Sequence, residues 1–83
     1  MTKLEEQLEK LGYRPSIFEN RYIKYYKGTY NYILIQLSKS NNSIASYSLG
    51  SQKAFTNQQD IDNLQESFNQ LQADLEVLKQ CQD

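Results

Sequence analysis

The apolar positions of the chain follow two spacings, one helical and one extended. Near the N-terminus, leucines recur at the spacing of one helix face: Leu4, Leu8 and Leu11. Thr2 and Glu5 form a capping box ahead of them, and Gly12 supplies the left-handed residue that ends many helices. This pattern predicts a short helix from about Lys3 to Leu11.

After Pro15 the spacing changes to that of β-strands. Three segments are rich in β-branched and aromatic residues: Ile17–Tyr26, Tyr30–Ser38 and Ser43–Leu49. Short polar stretches separate them, the first at Lys27 and Gly28. The segments predict three strands joined as an antiparallel meander.

The turn around Gly28 decides which side chains share a face of the sheet, because a slip of one residue exchanges the faces. A turn of odd length, which we expect, places Ile23 and Tyr25 on the face of Ile33 and Ile35. An even turn would reshuffle this assignment. In the expected register, one face of the sheet forms a candidate binding face: Tyr22, Lys24, Tyr26, Lys27, Tyr30, Tyr32 and Leu34.

The C-terminal third predicts a long helix. Thr56 with Gln59 is a second capping box, and the helix should run from about Asn57 to Gln80. Its apolar residues alternate three and four apart and form a leucine seam: Ile61, Leu64, Phe68, Leu71, Leu75 and Leu78. The seam would pack on the sheet and the first helix. Alternatively, Leu75 and Leu78 would extend past the sheet and meet a second subunit in a homodimer.

These elements predict one α-β-β-β-α domain over residues 1–83. The fold class is α+β, with a three-stranded antiparallel meander and both helices on one face of the sheet.

The composition argues against an enzyme. The 83 residues include no His and one cysteine, Cys81, and the three glycines lie far apart. A nucleophile paired with His, the usual zinc site and a glycine-rich phosphate loop therefore have no candidates. We expect no cofactor, no metal and no small-molecule substrate.

Cellular location follows from similar features. No apolar run approaches the ~20 residues of a membrane helix, and the N-terminal residues are acidic where a secretory signal is apolar. We expect a cytoplasmic protein without a membrane partner, in which Cys81 is an exposed free thiol.

Charge is distributed unevenly along the chain. Residues 14–53 contain six basic side chains and one acidic, whereas residues 54–83 contain six acidic side chains and one basic. The sheet should therefore be basic and the long helix acidic. A basic sheet bearing tyrosines suits nucleic acid, since rings stack on bases and Lys or Arg neutralise phosphates. Tyrosine is also enriched in protein–protein contacts, and the near-neutral total charge favours such a role.

Three functional hypotheses follow. The first is a non-enzymatic accessory protein that binds another protein, or itself, through the tyrosine-bearing face or the seam. The second is a nucleic-acid-binding module that uses the same face. The third is an acidic helix that mimics DNA, with five carboxylates as its charges: Asp60, Asp62, Glu66, Asp74 and Glu76.

The element order is similar to that of double-stranded-RNA-binding domains. Those domains place several lysines at the start of the last helix to grip phosphates. The matching stretch here, residues 51–60, offers only Lys53 and then turns acidic at Asp60. The topology matches, and the phosphate-binding motif does not.

Three segments carry a further resemblance: Leu11-Gly12-Tyr13, the strand at Arg21-Tyr22-Ile23-Lys24-Tyr25, and a leucine-rich helix opening at Phe55-Thr56. Through them, nearly the whole chain resembles small uncharacterised proteins of Gram-positive phages and prophages. The resemblance implies a non-catalytic accessory protein of a mobile element, and it carries no functional residues over to this chain.

Overall fold

The computed structural model describes residues 2–26, 29–40 and 43–81, which form two helices and a four-stranded antiparallel sheet. In chain order the elements are α1 (Lys3–Lys10), β1 (Arg14–Pro15), β2 (Arg21–Tyr25), β3 (Asn31–Leu37), β4 (Ile44–Ser51) and α2 (Gln58–Lys79). The strands lie side by side in the same order. The α+β class is confirmed, and the sheet has one strand more than predicted.

The start and end of α1 follow the predicted signals. The Thr2 side chain accepts a hydrogen bond from the Glu5 amide, and the Glu5 carboxylate accepts one from the Thr2 amide, so the capping box is confirmed. Gly12 has a φ of 99°, a conformation that side-chain-bearing residues rarely adopt. This left-handed residue turns the chain so that Tyr13 enters the core, fully buried.

The predicted strand Ile17–Tyr26 is wrong in its first half. The chain reverses within residues 16–20: the Ser16 amide donates to the Arg21 carbonyl over 2.8 Å, and Asn20 has a φ of 60°. Asn adopts this left-handed conformation more readily than most residues. The segment before the turn becomes β1, in which Pro15 occupies an edge position that needs no amide donor.

The predicted register of the first hairpin is also wrong. Tyr22 lies opposite Ile35 and Tyr25 opposite Tyr32, so that residues of unlike parity pair. The Tyr26 amide donates to the Asn31 carbonyl over 3.0 Å, and four residues, an even number, lie between them. Ile23 therefore lies on the face away from the helices, and Tyr22 lies on the face that they cover.

Both helices pack on the face of the sheet that carries Ile33 and Ile35. The core joins aliphatic and aromatic side chains of α1, the sheet and α2: Leu4, Leu8, Tyr13, Tyr22, Ile33, Ile35, Leu37, Leu71 and Leu78. Each fully buried aliphatic side chain contributes about 1.5–3 kcal/mol relative to exposure. The opposite face of the sheet carries no helix within the described residues.

The N-cap of α2 lies one residue later than predicted. Asn57 accepts a hydrogen bond from the Asp60 amide, and the Asp60 carboxylate accepts one from the Thr56 amide over 2.9 Å. The pairing of Thr56 with Gln59 is therefore wrong. The sequence offers two overlapping capping patterns, and the one with the acidic residue forms.

The leucine seam is only partly buried. Leu71 and Leu78 lie in the core, Leu64 and Leu75 are half-buried, and the exposed fraction is 50% for Ile61 and 44% for Phe68. The expected extension of Leu75 and Leu78 past the sheet is wrong, because Leu78 is buried in the same core as the α1 leucines. The exposed part of the seam lies toward the start of α2.

Candidate binding surfaces

The predicted binding face is divided between two sides of the sheet. Tyr22 and Lys24 lie opposite Ile35 and Ile33, on the helix-covered face, whereas Tyr32 and Leu34 lie on the other face. Tyr22 is 7% exposed, and its hydroxyl donates to the Glu5 carboxylate over 3.2 Å. The seven residues therefore do not form one surface, because the hairpin register differs from the predicted one.

The remaining members of that set are separated as well. Tyr26 is half-buried beside the Lys24 ammonium, and Tyr30 is exposed with the Lys53 ammonium 5.2 Å from its ring centroid. Lys27 lies outside the described residues.

A buried polar cluster lies between β2 and α2. The Asp74 carboxylate, 1% exposed, accepts hydrogen bonds from the Lys24 ammonium at 3.1 Å and the Tyr13 hydroxyl at 2.8 Å. Gln70 donates to its second oxygen over 2.9 Å. The Lys24 nitrogen also lies 5.2 Å from the ring centroid of Tyr13. These contacts compensate the carboxylate for its loss of water.

Two tyrosines in and beside this cluster, Tyr13 and Tyr26, have pKa values raised further above neutral pH. Burial raises the pKa of Tyr26 to about 12, with a smaller contribution from the Asp74 charge. Burial, followed by the hydrogen bond to Asp74, raises the pKa of Tyr13 well above its usual value. General acid–base catalysis favours a pKa near the working pH. The two largest described cavities, about 630 and 500 Å³, are lined by other residues. The cluster is therefore placed to hold α2 on the sheet.

The uncovered side of the sheet carries a continuous apolar surface, here called the open face: Ile17, Phe18, Ile23, Tyr25, Tyr32 and Leu34. The exposed fraction reaches 95% for Ile17, 58% for Phe18 and 57% for Tyr25. These residues line a shallow groove of about 500 Å³. The rings of Tyr25 and Tyr32 lie 6.1 Å apart between centroids and are tilted by 58°.

The turn at residues 16–20 positions the outer rim of the groove. The Arg21 guanidinium lies 4.7 Å from the Phe18 ring centroid, and its Nε donates to the Gln36 side chain over 3.0 Å. Gln36 in turn donates to the Asn20 carbonyl over 3.1 Å. The exposed rings and aliphatic groups therefore project from a hydrogen-bonded turn.

Sequence reasoning missed most of the open face. The predicted strand Ile17–Tyr26 has no turn at Ile17 and Phe18, and it places Ile23 and Tyr25 on the face of Ile33 and Ile35. The available signal was the two turn-forming residues ahead of Arg21, Ser16 and Asn20. Ending the first strand there exposes Ile17 and Phe18 in a turn.

One of the predicted surface cations, Lys24, is largely withdrawn from solvent, whereas Lys39 and Lys53 stay accessible. Lys24, Lys39 and Lys53 each form an ion pair, with Asp74, Glu19 and Asp60 respectively. Arg14 lies opposite Ile23 in the sheet, so that Arg14 and Arg21 belong to the open face.

The acidic helix likewise presents fewer unpaired carboxylates than DNA mimicry would require. Asp74 is buried, and Asp60 is held in the N-terminal cap, where the hydrogen bond from the Thr56 amide lowers the pKa of its carboxyl. Asp62, Glu66 and Glu76 are the carboxylates of that set that remain exposed.

One apolar surface remains beside β4. Tyr47 of β4 is 56% exposed and lines a cavity of about 230 Å³ with Phe68 and Leu75. Ile61 continues this row at seven-residue spacing, two helical turns before Phe68. We call these four residues the β4 flank.

Other kinds of site have no candidate in the described part of the chain. The described residues contain no group of three or more His, Cys, Asp or Glu side chains that could hold a metal ion. Among the same residues, none of the helices has the length and apolar character needed to cross a membrane. The chain matches no protein-family model, no curated protein and no solved structure.

Proposed function

We propose that this chain is a non-enzymatic accessory protein that binds another protein through its open face. The observation that carries the proposal is the exposure of Ile17 and Phe18 beside the uncovered side chains of the two central strands. Contiguous exposed apolar surface rimmed by polar residues is typical of protein contacts. Tyr, Phe and Arg, which the open face combines, are enriched in such interfaces.

The charges of the open face favour a partner with acidic groups around an apolar centre. Arg14 and Arg21 lie on this face, and the described strand residues that share it include no acid. A partner segment would place apolar side chains in the groove against Ile23 and Leu34. Its carboxylates would lie near the two guanidinium groups, where complementarity favours specificity and the rate of association.

Binding is better supported than catalysis because the groups with the most strongly raised pKa values lie in the buried cluster. The pKa values of Tyr13 and Tyr26 are raised away from neutral pH. Neither residue lines the cavities of about 630 and 500 Å³. The resemblance to phage and prophage proteins suggests that the partner belongs to a mobile element or its host. We place this activity in the cytoplasm, where Cys81 would stay reduced.

Nucleic acid is the competing partner. Arg14, Arg21 and the exposed rings of Tyr25 and Tyr32 could contact a single strand. The ion pair of Lys24 with the buried Asp74 removes that cation from the surface available to phosphates. A titration of the full chain with single-stranded oligonucleotides at low salt separates the two partners. Protein binding predicts no complex, whereas a steep salt dependence that Arg21→Glu abolishes would support nucleic acid.

The protein partner is tested by quantitative capture from nuclease-treated extract of the host cell. The bait is the full chain, and the test variant is Ile17→Asp, which adds a charge to the groove rim at a nearly fully exposed position. The matched control is Ala73→Asp, an exposed position on α2. We expect one protein to be retained by the wild type and the control and lost from the test variant. Equal recovery with all three baits would contradict the proposal.

A further inference from the structure

The strand β4 forms an edge of the sheet that is regular and uncharged from Ser46 to Ser51. Within the described residues β4 pairs with β3 alone, and its other side meets no strand. Its eight residues, Ile-Ala-Ser-Tyr-Ser-Leu-Gly-Ser, include no charged residue and no proline. One irregularity lies at its start, where the pairing with β3 shifts by one residue between Ser46 and Ile44. Natural edge strands are normally short, charged, bulged or interrupted by proline, because exposed amides and carbonyls recruit further strands.

The opposite edge of the same sheet is protected. There β1 is two residues long, and Pro15 removes one of its amide donors. One edge of the sheet is therefore blocked, and the other is available for pairing.

The pairing pattern identifies the backbone groups that β4 directs outward. The Gln52 amide donates to the Tyr30 carbonyl over 2.9 Å, and Tyr32 lies opposite Gly50. Residues that bond inward alternate with residues that bond outward along an antiparallel strand. Even-numbered positions bond to β3, and the amides and carbonyls of Tyr47, Leu49 and Ser51 therefore point away from it.

We infer that β4 pairs antiparallel with β4 of a second copy of this chain, around a two-fold axis at Ser48. This register opposes Ser48 to Ser48 of the second copy and Tyr47 to Leu49 of the second copy. It pairs outward-bonding positions with each other over residues 46–50, where the strand is regular. The joined sheet has eight strands, and its two ends are the β1 edges with Pro15, so that growth stops at the dimer.

The area available reaches the lower limit for a specific interface. An eight-residue edge is about 27 Å long, and a sheet with a helix layer above it is about 20 Å deep. This gives about 500 Å² per subunit and about 1,000 Å² in total, the lower bound for a specific interface. The β4 flank lies above this edge, and the two-fold axis would bring Phe68 toward the same surface of the second copy.

The surface is independent of the open face proposed for the partner protein. A second copy suits it because the strand is neutral and opposes itself without placing like charges together. A foreign extended peptide would use the same backbone groups and would leave the free chain monomeric.

The test measures the mass of the full chain by sedimentation equilibrium over a range of concentrations. We expect reversible association from 9.8 kDa to twice that mass. Ser48→Lys and Ser48→Glu each place like charges opposite one another at the axis and should raise the dimer dissociation constant about fivefold. An equimolar mixture of the two variants should restore or exceed wild-type association, which also shows that both fold.

The control is Ala73→Lys, which adds the same charge on the exposed side of α2 and should leave the dissociation constant unchanged. Three results would overturn the inference. The wild type could stay at 9.8 kDa at millimolar concentration, it could grow beyond two copies, or it could dimerise equally well with Ser48→Lys.

Discussion

The Tyr13 hydroxyl donates a 2.8 Å hydrogen bond to the Asp74 carboxylate, joining residues 61 positions apart in the chain. Both side chains are fully or almost fully buried, and Lys24 of β2 meets the same carboxylate oxygen. The bond fixes the segment after α1 against the middle of α2. Because an unpaired carboxylate would be strongly disfavoured at this depth, the cluster specifies how α2 is rotated on the sheet.

Removing the Tyr13 hydroxyl should destabilise the fold, whereas removing that of Tyr26 should not. Hydrogen bonds to charged groups contribute about 1.5–3 kcal/mol, so Tyr13→Phe should lower the free energy of unfolding by about 2 kcal/mol. The Tyr26 hydroxyl is buried without a hydrogen-bond partner among the described residues, and Tyr26→Phe should be neutral or stabilising. Urea denaturation followed by circular dichroism measures both. Equal losses in the two variants would contradict this assignment.

Stability should fall at alkaline pH, starting near pH 10. The pKa of Tyr26 is raised from 10.0 to about 12, mainly by burial, and the pKa of Tyr13 is raised as well. Between pH 10 and about pH 12 the unfolded chain has released tyrosine protons that the folded chain retains. The free energy of unfolding therefore decreases as pH rises. Below pH 10 both states hold these protons, and the tyrosines contribute no slope.

Urea midpoints at pH 8, 9, 10, 11 and 12 test the alkaline effect. Tyr26→Phe should reduce the fall of the free energy of unfolding with pH above pH 10. The variant lacks the Tyr26 hydroxyl, which loses its proton more readily in the unfolded chain than in the folded one. Tyr25→Phe removes an exposed hydroxyl instead and should keep the slope of the wild type. A flat profile up to pH 12 would exclude burial of ionisable tyrosines in the folded chain.

Removing one partner of the Lys24–Asp74 ion pair should destabilise the fold more than replacing both partners with apolar residues. Lys24→Met leaves the Asp74 charge buried and should lower the free energy of unfolding by about 3 kcal/mol. The triple variant Tyr13→Phe, Lys24→Met and Asp74→Leu removes every charge together and should recover most of that loss. Urea denaturation at low temperature compares them. A triple variant less stable than Lys24→Met would show that the pair itself is a net source of stability.

Local signals in the sequence were sufficient for most of the elements. The α1 capping box and Gly12 gave the correct start and stop of the first helix, and both segments that became β3 and β4 were found. The prediction failed in the register between β2 and β3. This register depends on how many residues form the turn between Tyr26 and Asn31. Hydrophobicity could not decide this, since Tyr22 and Ile23 are both plausible core residues.

The burial of α2 could not be predicted from apolar spacing alone. Ser67 and Asp74 occupy inner positions of the helix at 1% exposure, displacing Phe68 and Ile61 toward solvent. Asn31, also buried, donates to the Ser67 hydroxyl over 3.3 Å, and Asp74 has its own partners in the sheet. The rotation of the helix is therefore set by long-range polar contacts, which a periodicity analysis counts as surface.

Gly50 provides the space in which the Tyr32 ring lies, so adding a methyl group there should disturb the open face. A Cβ at Gly50 would lie 2.7 Å from both Cζ and the hydroxyl oxygen of Tyr32. Since the ring is half-exposed and can rotate, Gly50→Ala should lower the free energy of unfolding by only about 1 kcal/mol. The ring must also leave its position near Tyr25, which nuclear Overhauser contacts between the two rings would report. In a Tyr32→Ser background, where the obstruction is gone, Gly50→Ala should cost little or nothing. The same loss in both backgrounds would instead locate the effect in the β4 backbone.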